Sequence, residues 1–202
     1  MTRVGAPQSA TPWKLDRLRW RVTRARIRAD HRRFVALRRE QRPDAPGRAY
    51  LHPAFLAVLL YRLSNHLYRA GHPWLARLFW HLNLVLTGAD ISEPADIGEG
   101  FVVPTPAGVA IMGVAGRNLT VMACSGLGGE MGRRDDIGAG PGLPVLGDDV
   151  TMEPHTGVLG PVRIGDSVRI CAGAVVTGDV PANSVVAGHR IRVIAQREES
   201  TP

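Results

Sequence analysis

An apolar side chain returns at every sixth residue through the second half of this chain. Counting from Ile91, the beat falls on Ile97, Val103, Val109, Ala115, Val121 and Leu127. It restarts at Leu146 and returns at Met152, Val158, Ile164, Ile170 and Val176. A helix repeats at about 3.6 residues and a half-buried strand at about two, so neither produces two long runs in this phase. A fixed short period is the signature of a solenoid of hexapeptide repeats, with about six residues on each side of a three-sided coil and about 18 in one turn. The marked side chains point inward and stack on their equivalents one coil away. Glycine follows the marked position in IGEGFV, AGRNLT, LGGEMG, LGDDVT and IGDSVR, where a residue without a Cβ lets the backbone turn a corner.

A chain of 202 residues suits one or two domains and can bury a full core. Its net charge of +7 is unevenly placed: residues 12–42 carry twelve basic side chains against Asp16, Asp30 and Glu40. The basicity therefore belongs to the N-terminal region and says little about the repeat. Cys124 and Cys171 are the only cysteines. Two isolated thiols argue against a disulfide framework and against a zinc site, and fit a reducing cytoplasm. MTRVGAPQSATPW at the N-terminus has no apolar signal core. The longest apolar run, Ala54 to Tyr61, is too short to span a bilayer.

Residues 1–11 are polar and small and are expected to be disordered. The region 12–88 reads as helical. Its first helix, over residues 13–40, sets Leu15, Leu18, Val22, Ala25 and Ala29 at three- to four-residue steps, and most of the remaining surface is arginine. Two readings of this helix stay open: a solvated amphipathic helix at an oligomer surface, or a docking surface for RNA, anionic lipid or an acidic carrier protein. QRPDAPGR at 41–48 is a linker. A second helix is expected from Pro53 to Arg69, with Gly71 as its cap and Phe55, Leu56, Leu59, Leu60, Leu63 and Leu67 as its buried face. A third runs from Trp74 to Leu86 and stops at Gly88. His66, His72 and His81 read as helix-surface or interface residues, because no carboxylate or thiol recurs beside them at metal-site spacing. The repeat occupies 89–194. Residues 130–145 interrupt it as a glycine- and charge-rich loop, the kind of segment that carries function on a rigid scaffold. A polar tail follows at 195–202.

YRLSNHLYRAG in the helices, ADISEPADIGEGF at the solenoid start, the central LGG and VVTGDVPANSVVAGHRIRVI in the last coil together resemble the serine O-acetyltransferase family. The likeness covers roughly residues 50–194, including the helix-to-solenoid order. It implies a mixed α + β fold, with an α-helical N-terminal region followed by a left-handed parallel β-helix. It also implies assembly as a trimer, or as two trimers paired through the helices. A trimer fits the solenoid itself, since closed cyclic assembly is the common way for identical chains to cover an open face. The activity implied is transfer from acetyl-coenzyme A or another acyl-coenzyme A, whose thioester arm lies in a groove between neighbouring solenoids, with no metal. On this likeness Gly128 and Gly129 line the pantetheine groove and Ala172 is a small groove position. Arg190 and Arg192 stand where the family has a basic residue near the coenzyme's phosphates. Coil geometry alone is the competing reading for the two glycines and for Ala172.

The chemistry departs from the family. Acyl transfer to a hydroxyl needs a general base, usually a histidine held by a carboxylate. Where the family carries an Asp-His pair this chain has Pro104-Thr105, and where it carries a histidine after an arginine this chain has Gly142-Leu143. None of these four shuttles a proton near neutral pH. Asp90 does match a family acid at the start of the solenoid. His155, in MEPHTG, is the histidine inside the solenoid body. It is a candidate substitute base, with Glu153 placed to orient it if both face one side of the coil; a surface corner residue is the other reading. Cys124 is either a nucleophile or a small buried core thiol. Arg133, Arg134, Asp135 and Asp136 either contact an acceptor or form a solvated loop tip.

The sequence supports a divergent acyltransferase serving a small hydroxyl or amine acceptor without the usual His/Asp dyad; an amine asks less of a base. The donor is coenzyme A or an acidic acyl-carrier protein docked on the arginine helix. The alternatives are a non-catalytic hexapeptide-repeat scaffold that binds a partner, and attachment to a membrane surface through the arginine helix.

Overall fold

The computed structural model describes residues 20–41, 52–130 and 132–188. Arg190, Arg192, most of the expected linker and the expected first turns at 13–19 lie outside them. Three helices come first: α1 (Trp20–Gln41), α2 (Pro53–Arg69) and α3 (Pro73–Thr87). Both later helices open on a proline, whose missing N–H costs nothing in a first turn. His52 caps α2, its Nδ1 accepting from Ala54 N at 3.2 Å. Helix α3 ends on Gly88 in the left-handed conformation, φ 75°.

Short parallel strands then stack into three faces. Face I holds β1 (Asp90–Ile91), β3 (Ala110–Ile111), β6 (Gly126–Gly128), β9 (Gly157–Leu159) and β12 (Val175–Val176). Face II holds β2 (Asp96–Ile97), β4 (Val114–Ala115), β7 (Val145–Leu146) and β10 (Arg163–Ile164). Face III holds β5 (Thr120–Val121), β8 (Thr151–Met152), β11 (Arg169–Ile170) and β13 (Val185–Val186). This is the expected left-handed parallel β-helix after a helical region.

Every side chain on the six-residue beat, from Ile91 to Val176, is buried in one continuous core. Two of them, Val103 and Val109, are not strand residues. Ile91 pairs with Ile111, not with Val109. Val103 and Ile111 stand eight positions apart, and Ile111 and Ala115 only four. The two additional residues form a corner bulge at Pro104-Thr105-Pro106, where prolines offer no N–H to the ladder. The slip is confined to face I, since Ile97 still pairs with Ala115 and Val102 with Thr120.

The repeat glycines also act differently from the expectation. A Cβ on Gly98 would lie 2.5 Å from Gly116 O, and Gly116, Gly147 and Gly165 are blocked by the following coil in the same way. Close approach of stacked coils demands them. The left-handed corner falls two residues later, at Gly100, Asn118, Asp149, Ser167 and Asn183.

The helices pack on the first coil through apolar and polar side chains together: Ala57, Val58 and Tyr61 join the solenoid core, and Phe34, Ala54 and Phe55 pack with Val102. In α1, Val22 and Ala25 are exposed, while Thr23, Asp30 and Phe34 are buried. In α2, Phe55 and Leu60 of the expected face are buried, together with Ala54, Val58, Tyr61, Arg62 and Asn65, whereas Leu56, Leu59, Leu63 and Leu67 are half-buried. The physical reason for the polar contacts is the open end of the solenoid, whose carbonyls need donors. Arg62 serves Ile97 O and Gly98 O, each at 2.6 Å. Asn65 Nδ2 serves Glu93 O and Ala95 O, and Tyr61 Oη donates to Ala95 O at 2.8 Å.

The loop separates the core residues Leu127 and Leu146, which are 19 positions apart. It folds back through a bridge between Asp136 and Pro141 and is tied to the next coil by Arg163 Nη2 donating to Ile137 O at 2.7 Å.

Candidate active site along one edge of the solenoid

The edge between faces III and I is a column of left-handed residues: Gly88, Gly108, Cys124, His155 and Gly173, with φ of 75°, 70°, 55°, 60° and 74°. Adjacent coils are tied by Gly108 N to Gly88 O, Cys124 N to Ala107 O, His155 N to Ala123 O and Gly173 N to Pro154 O, all 3.0–3.1 Å. The cap of α3 is therefore also the first corner of this edge. Three of the five are glycine, the residue that adopts this conformation freely. Cys124 and His155 hold it at a cost of about 1–2 kcal/mol each, and such strain tends to persist where function retains it.

Both side chains are exposed. Cys124 is thus an edge thiol and not the core thiol that was one reading of the sequence; its neighbour Ser125 takes the buried position. The bulge at Pro104-Thr105-Pro106 lies on the same edge in the first coil, with Thr105 exposed. His155 stands two coils further along, roughly 10 Å at the usual spacing of neighbouring strands.

Glu153 lies on face III and turns towards the following coil. Its Oε1 accepts from Arg169 Nε at 2.7 Å and its Oε2 from Ala172 N at 3.0 Å. Those bonds from Arg169 and then from Ala172 hold its carboxyl below the usual range. No hydrogen bond joins it to the His155 ring among the described residues. It positions Ala172, beside Gly173 on the edge.

Asp90 heads the outer face I, with Oδ1 accepting from Trp80 Nε1 at 2.8 Å. Behind it, in register, come Ala110, Gly126, Gly157 and Val175. They form a strip almost free of side chains, with Met112 and Leu159 standing exposed beside buried Gly128. A Cβ on Gly128 would meet only Met112 Cβ at 4.0 Å, and one on Gly157 only the Val175 methyls from 3.6 Å. Gly129, exposed, begins the loop. Asp90, Gly128, His155 and Ala172 therefore lie along face I and its edge, spread from β1 to the coil of β12, whereas the Glu153 carboxylate does not. Among the described residues no three His, Cys, Asp or Glu side chains form a metal-holding group.

Sequence reasoning missed a cavity of about 480 Å³ between α1 and face III, reached by Arg33, Arg38, His52, Pro104, Thr120 and Thr151. The His-Pro pair that opens α2 did not signal it, since His72-Pro73 opens α3 in the same way. Burial, and then the nearby Arg38, lower the pKa of His52.

No family model matches the chain. It is 35% identical over 167 residues to the serine acetyltransferase of Mycobacterium tuberculosis, covering 80% of this chain and 71% of that one. It is 33% identical over 148 residues to the serine acetyltransferase of Synechococcus elongatus, covering 71% of this chain and 57% of that relative's length. Among solved structures, soybean serine acetyltransferase complexed with serine matches with a TM-score of 0.71 at 27% identity, covering 86% of this chain and 70% of that one.

Proposed function

As this chain belongs to the serine acetyltransferase family, we propose that it transfers an acyl group from acetyl-coenzyme A, or another acyl-coenzyme A, to a small hydroxyl or amine acceptor by a route that does not use the usual His/Asp dyad. The observation that carries this reading is His155: an exposed imidazole held in the left-handed conformation on the edge that also bears Pro104-Thr105. A neutral imidazole nitrogen takes the proton from the acceptor O–H or N–H as that atom attacks the acyl carbon. The C–S bond breaks, and the leaving thiolate receives the proton from the imidazolium. The coenzyme's arm runs along the strip at Gly126, Gly128 and Gly157 and passes Gly129 and Ala172. Asp90, held by Trp80, places a negative charge at the head of the strip and favours a cationic acceptor. Arg190 and Arg192 take the phosphates on the family likeness alone.

The strip needs a second wall, and a neighbouring solenoid of a homotrimer supplies it. Exposed Met112, Leu159 and Val175 on face I, with Trp74, Leu78 and Val85 on α3, support such assembly, the latter group as the contact that pairs two trimers. The arginines of α1 divide between two faces. Arg26 pairs with Asp96 and Arg33 bonds the first coils, while Arg21, Arg24, Arg28, Arg32 and Arg39 form one exposed stripe. That stripe suits an acidic acyl-carrier protein as donor or partner. No described helix is long and apolar enough to cross a membrane.

A second reading, the non-catalytic scaffold, is favoured by the absence of a bond between Glu153 and His155. Release of free coenzyme thiol from acetyl-coenzyme A over a panel of amines and hydroxyl compounds separates the two: turnover supports the transferase, and binding without turnover supports the scaffold.

A further inference from the structure

The cavity between α1 and face III has a chemistry that acyl transfer does not use. The half-buried Arg33 guanidinium lies on its wall. Its Nη1 donates to Gly100 O at 2.6 Å and Leu119 O at 3.1 Å, and its Nη2 to Thr120 Oγ1 at 2.8 Å. All three partners are neutral, and among the described residues no carboxylate forms an ion pair with Arg33. Burial lowers its pKa, opposed by Asp149 and Asp30 acting at longer range. A partly dehydrated cation held only by uncharged oxygens is short of a counter-ion.

The groups around it are donors. Arg33 retains Nε–H and one further Nη2–H after those bonds. Thr120 Oγ1 already accepts from Arg33, which leaves its hydroxyl hydrogen to donate. Thr151 is the in-register neighbour of Thr120 one coil on. His52 Nδ1 accepts from Ala54 N, so the neutral ring carries its proton on Nε2. Arg38 adds a second cation, and among the described residues no carboxylate lines the cavity. The remaining wall is Phe34, Leu37, Val102, Pro104 and Met122.

We propose that this cavity binds a monocarboxylate with an apolar body. The carboxylate completes Arg33 against the hydroxyls of Thr120 and Thr151, and the body lies on Pro104 and Met122. Arg33 takes the carboxylate, and the apolar part of the wall rewards a hydrocarbon body over a bare phosphate. The site stands whether or not His155 serves acyl transfer.

Calorimetry on the full chain with octanoate, octanamide and inorganic phosphate tests it. Octanoate is expected to bind at least tenfold more tightly than octanamide or phosphate, and Arg33→Met to weaken octanoate at least tenfold. Because Arg33→Met also removes bonds that seat α1 on the coils, Met122→Trp is measured beside it. That substitution fills the cavity from an outward-facing position, and it is expected to keep a cooperative melt and lose octanoate. Octanamide or phosphate binding as tightly as octanoate overturns the proposal, as does unchanged octanoate affinity in a folded Met122→Trp.

Discussion

The Arg62 guanidinium grips both carboxylate oxygens of Asp30, Nε to Oδ2 at 2.8 Å and Nη2 to Oδ1 at 3.2 Å. Both side chains are essentially sealed from water, at 1% and 0% exposure. Asp30 also accepts from Phe101 N at 2.8 Å, and Arg62 reaches two carbonyls of the first coil. One ion pair thus joins α1, α2 and the solenoid. Removing one partner strands the other's charge, so Asp30→Leu or Arg62→Met each costs about 3–5 kcal/mol. The double replacement Asp30→Leu with Arg62→Met costs less than the sum of the two singles, since neither charge is left behind. Urea unfolding of the set measures the coupling; strictly additive losses would remove the pair from this role.

Acid stability follows from Asp96. Burial raises its pKa, but Arg26 and Arg69, each 2.9 Å away, outweigh that and hold the carboxyl below its usual value. A folded pKa below the unfolded one gives stability that is present above about pH 4 and lost as pH falls through the folded value. The free energy of unfolding is expected to decline as pH drops below about 4, and Asp96→Asn to flatten that decline. An Asp96→Asn acid limb as steep as the parent's contradicts this assignment.

His155 holds a conformation that glycine adopts without strain. His155→Gly should therefore raise stability by about 0.5–1 kcal/mol despite deleting a whole side chain, because relief of strain exceeds the added freedom of the unfolded chain. Chemical denaturation decides the sign, and a loss of stability would show that the imidazole makes contacts worth more than the strain.

The thiols are expected to separate kinetically. Cys124 stands exposed on the edge and Cys171 is half-buried. A chromogenic disulfide reagent should label the native protein in a fast and a slow phase, with Cys124→Ser abolishing the fast one. Labelling of Cys124 only after unfolding would return it to the core.

The solenoid was legible because an interior rung admits only an apolar side chain at a fixed spacing, so its core positions stand out in the chain. The slip at Ile111 was hidden by Val109, which is also buried but at the edge, so the phase looked unbroken. Helix α1 was misread for a related reason. The partner that buries Asp30 is 32 positions away, and nothing local distinguishes a buried aspartate from a surface one. His155 could be singled out by its place in the solenoid body. Its alignment with Cys124 on one edge required coordinates, because equivalent corners are separated by differing lengths of chain. The Arg33 cavity lay between segments whose contact no periodicity encodes.

The most direct test of the account is coenzyme-thiol release from acetyl-coenzyme A over amine and hydroxyl acceptors, measured for the parent chain and His155→Ala, with coenzyme A binding followed by calorimetry. The account predicts turnover with at least one acceptor, a loss of at least about 100-fold in His155→Ala as befits a general base, and unchanged coenzyme affinity. Turnover that survives His155→Ala intact, or coenzyme A that binds without turnover on any acceptor, would contradict it.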